Sequence, residues 1–189
     1  MITVFVRKIE NLSDAEKQNI ITSLSAPAQK RLESKRNEKL YTASLCALSL
    51  LSIGQRADLD YADGGRPFFK DIDADISISH SASYAAVALS DSGKTPVGID
   101  LEDIIEKSPF PRFLTENERL ALEGGTPYLN IWTKKEALFK FLKNGSTPFI
   151  GLDSTAPELH GAKFVTVTFD SAILTVCTST NQLVKIIEK

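Results

Sequence analysis

The stretch Val97-Gly98-Ile99-Asp100-Leu101-Glu102 decides how this chain is read. It alternates with the two-residue period of a β-strand, so Asp100 and Glu102 leave by one face and Ile99 and Leu101 by the other. Gly98 leaves room for close approach of another backbone. Two carboxylates on one face repel each other, which an exposed polar edge would tolerate. Ile99 and Leu101 ask for burial, however, and that takes the strand away from the periphery and leaves its acidic face in need of a cation. A hard divalent ion with oxygen ligands fits.

Upstream, the turn Asp91-Ser92-Gly93-Lys94 feeds this strand, and residues 75–79 and 84–89 read as two strands joined by a tight polar turn. Earlier still, residues 2–9 form an opening strand. Ser13-Asp14-Ala15-Glu16 has capping-box spacing, and Ile20, Ile21 and Leu24 give the helix behind it an apolar face. Pro27 opens a longer helix, basic through Lys30, Arg31, Lys35, Arg36 and Lys39, then apolar through Leu45, Ala47, Leu48, Leu50 and Leu51, with Gly54 as its stop. Downstream, Pro109 and Pro111 break the chain and Thr115-Glu116-Asn117-Glu118 offers a second capping box. Gly124-Gly125 ends that helix, and another spans about 127–143, closed by Asn144-Gly145. Strands follow at 163–169, 172–178 and 183–187.

Helix then strands, twice over, predicts an α+β fold. It would be a pseudo-dimer of two similar helix-plus-antiparallel-sheet halves, residues 1–96 and 97–189, forming one structural unit with a cleft between them. Element order alone carries this repeat, since the halves share no clear sequence identity. A chain of 189 residues suits one such unit. With 22 Lys plus Arg against 24 Asp plus Glu, no global field favours a nucleic-acid backbone, and any anion site must be local. The most apolar stretch, 40–53, is interrupted by Thr42, Ser44, Ser49 and Ser52 and is too short for a bilayer. The opening MITVFVRK lacks the basic-then-apolar pattern of a secretion signal, so a cytoplasmic protein without a membrane segment is expected. Cys46 and Cys177 lie in apolar patterns and read as buried thiols.

Trp132, Lys135, Glu136 and Lys140 recur at helical spacing and are expected along one face, with Ile131, Leu138, Phe141 and Leu142 as the packing stripe. A solvated face with one Glu136–Lys140 pair would explain the charges but not Trp132. His80, between Ser79 and Ser81 at a strand end, has no Gly-x-Ser-x-Gly elbow nearby and suits donation to a phosphate better than nucleophilic catalysis. Arg66, between Gly65 and Pro67, is either a forked donor aimed from a defined turn or an exposed loop arginine. Lys30, Arg31 and Lys35 are equally a solvated helix face.

Together, Gly65-Arg66-Pro67, Ile78-Ser79-His80-Ser81, Val97-Gly98-Ile99-Asp100-Leu101-Glu102, Phe113-Leu114-Thr115 with Glu118, and Trp132-x-x-Lys135-Glu136-Ala137-x-x-x-Lys140 resemble the 4′-phosphopantetheinyl transferases of the surfactin-synthetase-activating type. The motifs run from about residue 30 to 140. The resemblance implies coenzyme A bound as co-substrate in the cleft, with the halves meeting near 94–97. Asp100, Glu102 and Glu136 would hold Mg²⁺, with Mn²⁺ as its substitute. Ser79, His80 and Lys140 would serve the coenzyme's phosphates, Arg66 would lie near the nucleotide, and Lys30, Arg31 and Ser44 would gather at the 3′-phosphate. A serine of an apo acyl or peptidyl carrier protein would attack the β-phosphate and release 3′,5′-adenosine bisphosphate. Glu136 with its water is the expected base and Glu118 the other candidate, while Lys135 would orient the base or stabilise the leaving phosphate. An internal pseudo-dimer makes a monomer the default. Two departures stand out: Ala43 replaces an arginine common in the family before Ser44-Leu45, and the tail after Gly145 is short. A coenzyme-A-binding or carrier-binding protein without turnover is the alternative, but Asp100, Glu102, Glu136, Lys135 and Lys140 are all present.

Overall fold

The computed structural model describes residues 1–105, 111–142 and 148–189. Strand β1 (Ile2–Lys8) buries Ile2, Val4 and Val6 and leaves Thr3, Phe5 and Arg7 partly exposed, the period-two pattern expected of it. Helix α1 (Asp14–Ser23) opens on the Ser13–Glu16 capping box. The single helix expected from Pro27 to Gly54 is instead three: α2 (Ala26–Glu33), α3 (Glu38–Ser49) and α4 (Ile53–Asp58). Local side-chain hydrogen bonds make the breaks. Ser34 Oγ donates back to the carbonyl of Arg31, Asn37 accepts from the amides of Lys39 and Leu40, and Ser52 with Gln55 builds a capping box that starts α4 and encloses Gly54.

A short hairpin, β2 (Leu59–Tyr61) with β3 (Pro67–Phe69), leads to the antiparallel pair β4 (Ile76–His80) and β5 (Tyr84–Ser90), and then to β6 (Val97–Asp103). Helix α5 (Glu116–Glu123) starts on the Thr115–Glu118 capping box, and α6 (Tyr128–Leu142) follows it. Strands β7 (Ala162–Thr168), β8 (Ala172–Ser179) and β9 (Val184–Glu188) complete the order. The expected break at Pro109 and the stop at Asn144-Gly145 lie outside the described residues.

The strands form a four-stranded sheet ordered β4-β5-β1-β9, a three-stranded sheet ordered β6-β8-β7, and the β2-β3 hairpin. β9 does not extend the sheet of β7 and β8; it pairs parallel with β1, from Ile2↔Val184 to Val6↔Glu188. Parallel pairing departs from the purely antiparallel halves expected, and it covers the edge β1 would otherwise leave open.

The layers follow from burial. Helices α1–α4 pack Leu32, Leu45 and Leu48 on one face of the first sheet against Ile76 and Val87. Its other face meets the second sheet through Val4, Val6 and Ala88 against Ile99, Leu101 and Val176. β5 is therefore buried on both sides, which its run of Ala and Val permits. Helix α6 covers the far face of the second sheet with Ala137, Leu138 and Phe141 over Cys177. Both cysteines are free and buried, and burial pushes the Cys177 thiol well above its ordinary value. Among the described residues no helix is long and apolar enough to cross a membrane.

Candidate active site

Gly98 determines how closely α6 lies on β6. A Cβ there would sit 2.1 Å from the carbonyl oxygen of Ala137 and 2.5 Å from the amide nitrogen of Phe141, so only glycine lets the helix rest directly on the strand. That contact brings Glu136 and Lys140 beside Asp100 and Glu102. All four line one cavity of about 400 Å³, shared with Arg31, Lys35 and His80.

Serines of β4 hold β6 in place across the gap between the sheets. Ser77 Oγ accepts from the Ile99 amide (3.0 Å) and Ser79 Oγ from the Leu101 amide (3.2 Å), while Ser79 Oγ itself donates to Asp100 Oδ1 (3.1 Å). Lys140 Nζ donates to the same Asp100 Oδ1 at 2.8 Å and to the Ile99 carbonyl at 3.0 Å. Among the described residues Asp100 Oδ2 is buried with no hydrogen-bond partner. Burial raises the pKa of Glu136 above the ordinary carboxylate value; Lys140 opposes that rise, and Asp100 and Glu102 reinforce it. Among the described residues no three metal-capable side chains stand close enough to grip an ion as they are. The donor set nonetheless suits a hard cation, because three carboxylates share the cavity and one buried oxygen is unclaimed.

The other end of the cleft is basic. Gly65 adopts φ 79°, and a Cβ on it would come within 2.7 Å of Arg31 Nη2, so its bare backbone admits the Arg31 guanidinium, which lies 4.6 Å from the Tyr61 ring centre. Lys35 and Ser44 complete that wall. His80 lies between the two ends: burial lowers its pKa first, Lys35 and then Lys140 lower it further, and Asp100 opposes them.

Trp132, Glu136 and Lys140 face the cleft together, as their spacing of four predicts. Lys135 does not join them. At about 100° per residue it points about 100° away from Glu136, and it is fully buried against α5. There its Nζ donates to Glu118 Oε2 at 2.8 Å and to the Leu152 carbonyl. Glu118, equally buried, also accepts from the Thr115 amide and from the amide and hydroxyl of Ser154. Neither Lys135 nor Glu118 lines the cavity. Lys30 points to solvent beside Arg31, and Arg66 spends its guanidinium on the protein while its neighbours Gly65 and Pro67 line the cleft. Sequence reasoning gave no separate role to Lys35, although the i,i+4 relation to Arg31 could have found it; nothing in the sequence marked Tyr61. Trp132 packs among Tyr128, Phe113 and Phe149 at ring separations of 5.6–6.1 Å, which fixes the helix that carries Glu136.

This arrangement of a basic wall, a strand-end histidine and an acidic β6–α6 pair occurs in a chain that is similar along most of its length to two proteins named 4′-phosphopantetheinyl transferase AcpT. The one from Salmonella typhimurium (strain LT2) is 24% identical and that from Salmonella typhi 23% identical, each over 190 residues covering 95% of this chain and 93% of theirs. The family model described as the 4′-phosphopantetheinyl transferase superfamily matches residues 96–184. Over that segment the chain is similar to the superfamily. The matched segment starts one residue before β6 and carries the acidic pair, α5 and α6. The basic wall of Arg31, Lys35 and Tyr61 lies outside it, within the length over which the two AcpT proteins align.

Proposed function

We propose that this protein transfers the 4′-phosphopantetheine group of coenzyme A to a serine of an apo acyl or peptidyl carrier protein, as a surfactin-synthetase-activating type enzyme acting as a monomer in the cytoplasm. The observation that carries this reading is one cleft lined by two kinds of group: the cations Arg31 and Lys35, and the carboxylates Asp100, Glu102 and Glu136, with His80 between them. A molecule with a terminal phosphomonoester and an internal pyrophosphate suits both kinds at once. The cleft is read as the junction of the halves 1–96 and 97–189, with β9 lent back to the first. Neither nucleic acid nor membrane has a part in the reaction.

Asp100, Glu102 and Glu136 would hold a divalent ion, Mg²⁺ or in its place Mn²⁺, whose charge offsets the negative charge that develops on the pyrophosphate. Arg31 and Lys35, with Ser44, bind the 3′-phosphate, and His80 donates to a phosphate oxygen once protonated. Lys140, held at Asp100 and lining the cleft, would offset charge on the departing phosphate oxygen. The carrier serine's Oγ forms a bond to the β-phosphorus as the bond to the bridging oxygen breaks. That oxygen keeps the electron pair and departs on 3′,5′-adenosine bisphosphate, and the serine proton passes to Glu136 directly or through one water. Glu136 is favoured over Glu118 because it faces the cleft. Glu118 and Lys135, committed to each other behind α6, support the helix and do not touch substrate.

The test is the intact mass of an apo acyl carrier protein and an apo peptidyl carrier domain after incubation with the protein, coenzyme A and Mg²⁺. Gain of one phosphopantetheine, lost on chelation, is the expected result. No gain on either carrier while calorimetry still detects coenzyme A would assign a binding protein of the same fold.

A further inference from the structure

Arg66 sits on the β2–β3 turn between two residues that line the cleft; its side chain, 22% exposed, borders a smaller adjoining pocket with Glu136 and Lys140, but its guanidinium is taken up by acceptors of the protein. Its Nη1 donates to the carbonyl of Lys140 in the last turn of α6. Its Nη2 meets Asp75 Oδ2 at 3.1 Å, the Val97 carbonyl at 3.2 Å and the Ile76 carbonyl at 3.4 Å. These acceptors belong to α6, to the start of β6 and to the start of β4, so one guanidinium touches both sheets and the helix that carries Glu136. Asp75 is 5% exposed, and its Oδ2 also accepts from the Val97 amide at 2.8 Å, which locks the pair to β6.

Lys140 is thus gripped twice. Arg66 holds its backbone, and its own Nζ holds Asp100 Oδ1 and the Ile99 carbonyl. Gly98, one residue beyond the Arg66–Val97 contact, is where α6 touches β6. A fork of fixed geometry can span acceptors on three elements, and a lysine ammonium cannot reproduce that span.

We propose that Arg66 is a positioning residue: by pinning the last turn of α6 to the beginnings of β4 and β6 it sets where Lys140 and Glu136 stand against Asp100, and it makes no contact with coenzyme A. The inference rests on the transferase reading above. It departs from the nucleotide role that the motif resemblance gives Arg66.

The experiment compares the full-length wild type with Arg66→Lys and with Asp75→Asn, whose carboxyl does not line the cleft. A thermal melt first establishes that each variant is folded. Calorimetry then gives the dissociation constant for coenzyme A with and without Mg²⁺, and transfer to an apo carrier gives kcat and KM. The expected result for both variants is metal-free coenzyme A affinity within about twofold of wild type, a several-fold loss of the enhancement by Mg²⁺, and kcat lower by about tenfold or more with KM little changed. A tenfold weaker metal-free affinity in Arg66→Lys, with kcat retained and Asp75→Asn like wild type, would overturn the proposal and return Arg66 to the nucleotide. Unchanged constants in both variants would overturn it as well. If the wild type transfers nothing, the transferase reading falls, and the two calorimetric arms still decide the role of Arg66. If Arg66→Lys does not fold, Asp75→Asn carries the same comparison.

Discussion

Replacing Gly98 by alanine tests whether backbone contact between α6 and β6 builds the acidic end of the cleft. The new methyl would sit 2.1 Å from the Ala137 carbonyl oxygen and 2.5 Å from the Phe141 nitrogen, whereas ordinary contact begins at about 3.4 Å. These are backbone atoms of a helix packed on Cys177 and Ala162, so no side chain can swing aside to make room. Helix and strand must therefore separate by roughly 1 Å, and overpacking of that kind costs about 1–3 kcal/mol, here at the upper end. For a chain of this length that corresponds to a fall in Tm of roughly 6–12 °C. Glu136 and Lys140 flank the contact and move with the helix, and a displacement of about 1 Å at a reacting centre costs about 100-fold in kcat. Urea unfolding and carrier mass gain measured on the same preparation check the two numbers. A folded Gly98→Ala protein with kcat within threefold of wild type would refute the reasoning.

Further outcomes are expected elsewhere. Lys135→Met, which leaves Glu118 fully buried without its cation, lowers the unfolding free energy by about 3–5 kcal/mol, and the Lys135→Met/Glu118→Gln double variant loses less than the two single losses added; strict additivity in urea melts would deny the coupling. His80 is held below its ordinary 6.5, chiefly by burial and then by Lys35, so it is largely neutral at pH 7, and a phosphate docked against it favours the protonated form. Coenzyme A binding at pH 7 then shows proton uptake, read as a buffer-dependent calorimetric enthalpy, and His80→Gln abolishes it. In the free protein the same depressed value contributes stability above pH 6.5 that is lost as the pH falls towards the folded value, because the unfolded chain protonates first. Arg31→Ala and Lys35→Ala each weaken coenzyme A by about tenfold and 3′-dephospho-coenzyme A hardly at all; equal losses toward both ligands would remove these residues from the 3′-phosphate.

Features that depend on near neighbours were legible in the sequence. The alternation around Asp100 and the capping boxes at Ser13 and Thr115 each need only a few residues of context and stand as read, and the helix stripe stands for Trp132, Glu136 and Lys140 but not for Lys135. The break at residues 34–37 was less visible because Ser34 and Asn37 compete with helix geometry through hydrogen bonds that a basic-then-apolar pattern conceals. The directions of Lys135 and Arg66 were not legible. Spacing puts a long side chain on a face, but the acceptors that claim it, Glu118 and Leu152 for one and Asp75, Lys140 and Val97 for the other, are fixed only once distant segments meet. The partner of β9 was hidden for the same reason, since its alternation suits an edge on either sheet.

The pairing of β9 with β1 also bears on how the chain reaches this state. Ile2 and Val184 are separated by about 180 residues, so this ladder closes one of the longest loops the chain can form, and such contacts are slow to assemble. During synthesis β1 can meet β5 early but keeps one edge unpaired until residues 184–188 have emerged. Until then Ile2, Val4 and Val6 lie on a strand whose free amides and carbonyls can recruit another chain. Premature termination ahead of Val184 would leave Asp100, Glu102 and Glu136 encoded and translated, and would still yield a sticky, incompletely zipped sheet, so abundance is where such a lesion would register first.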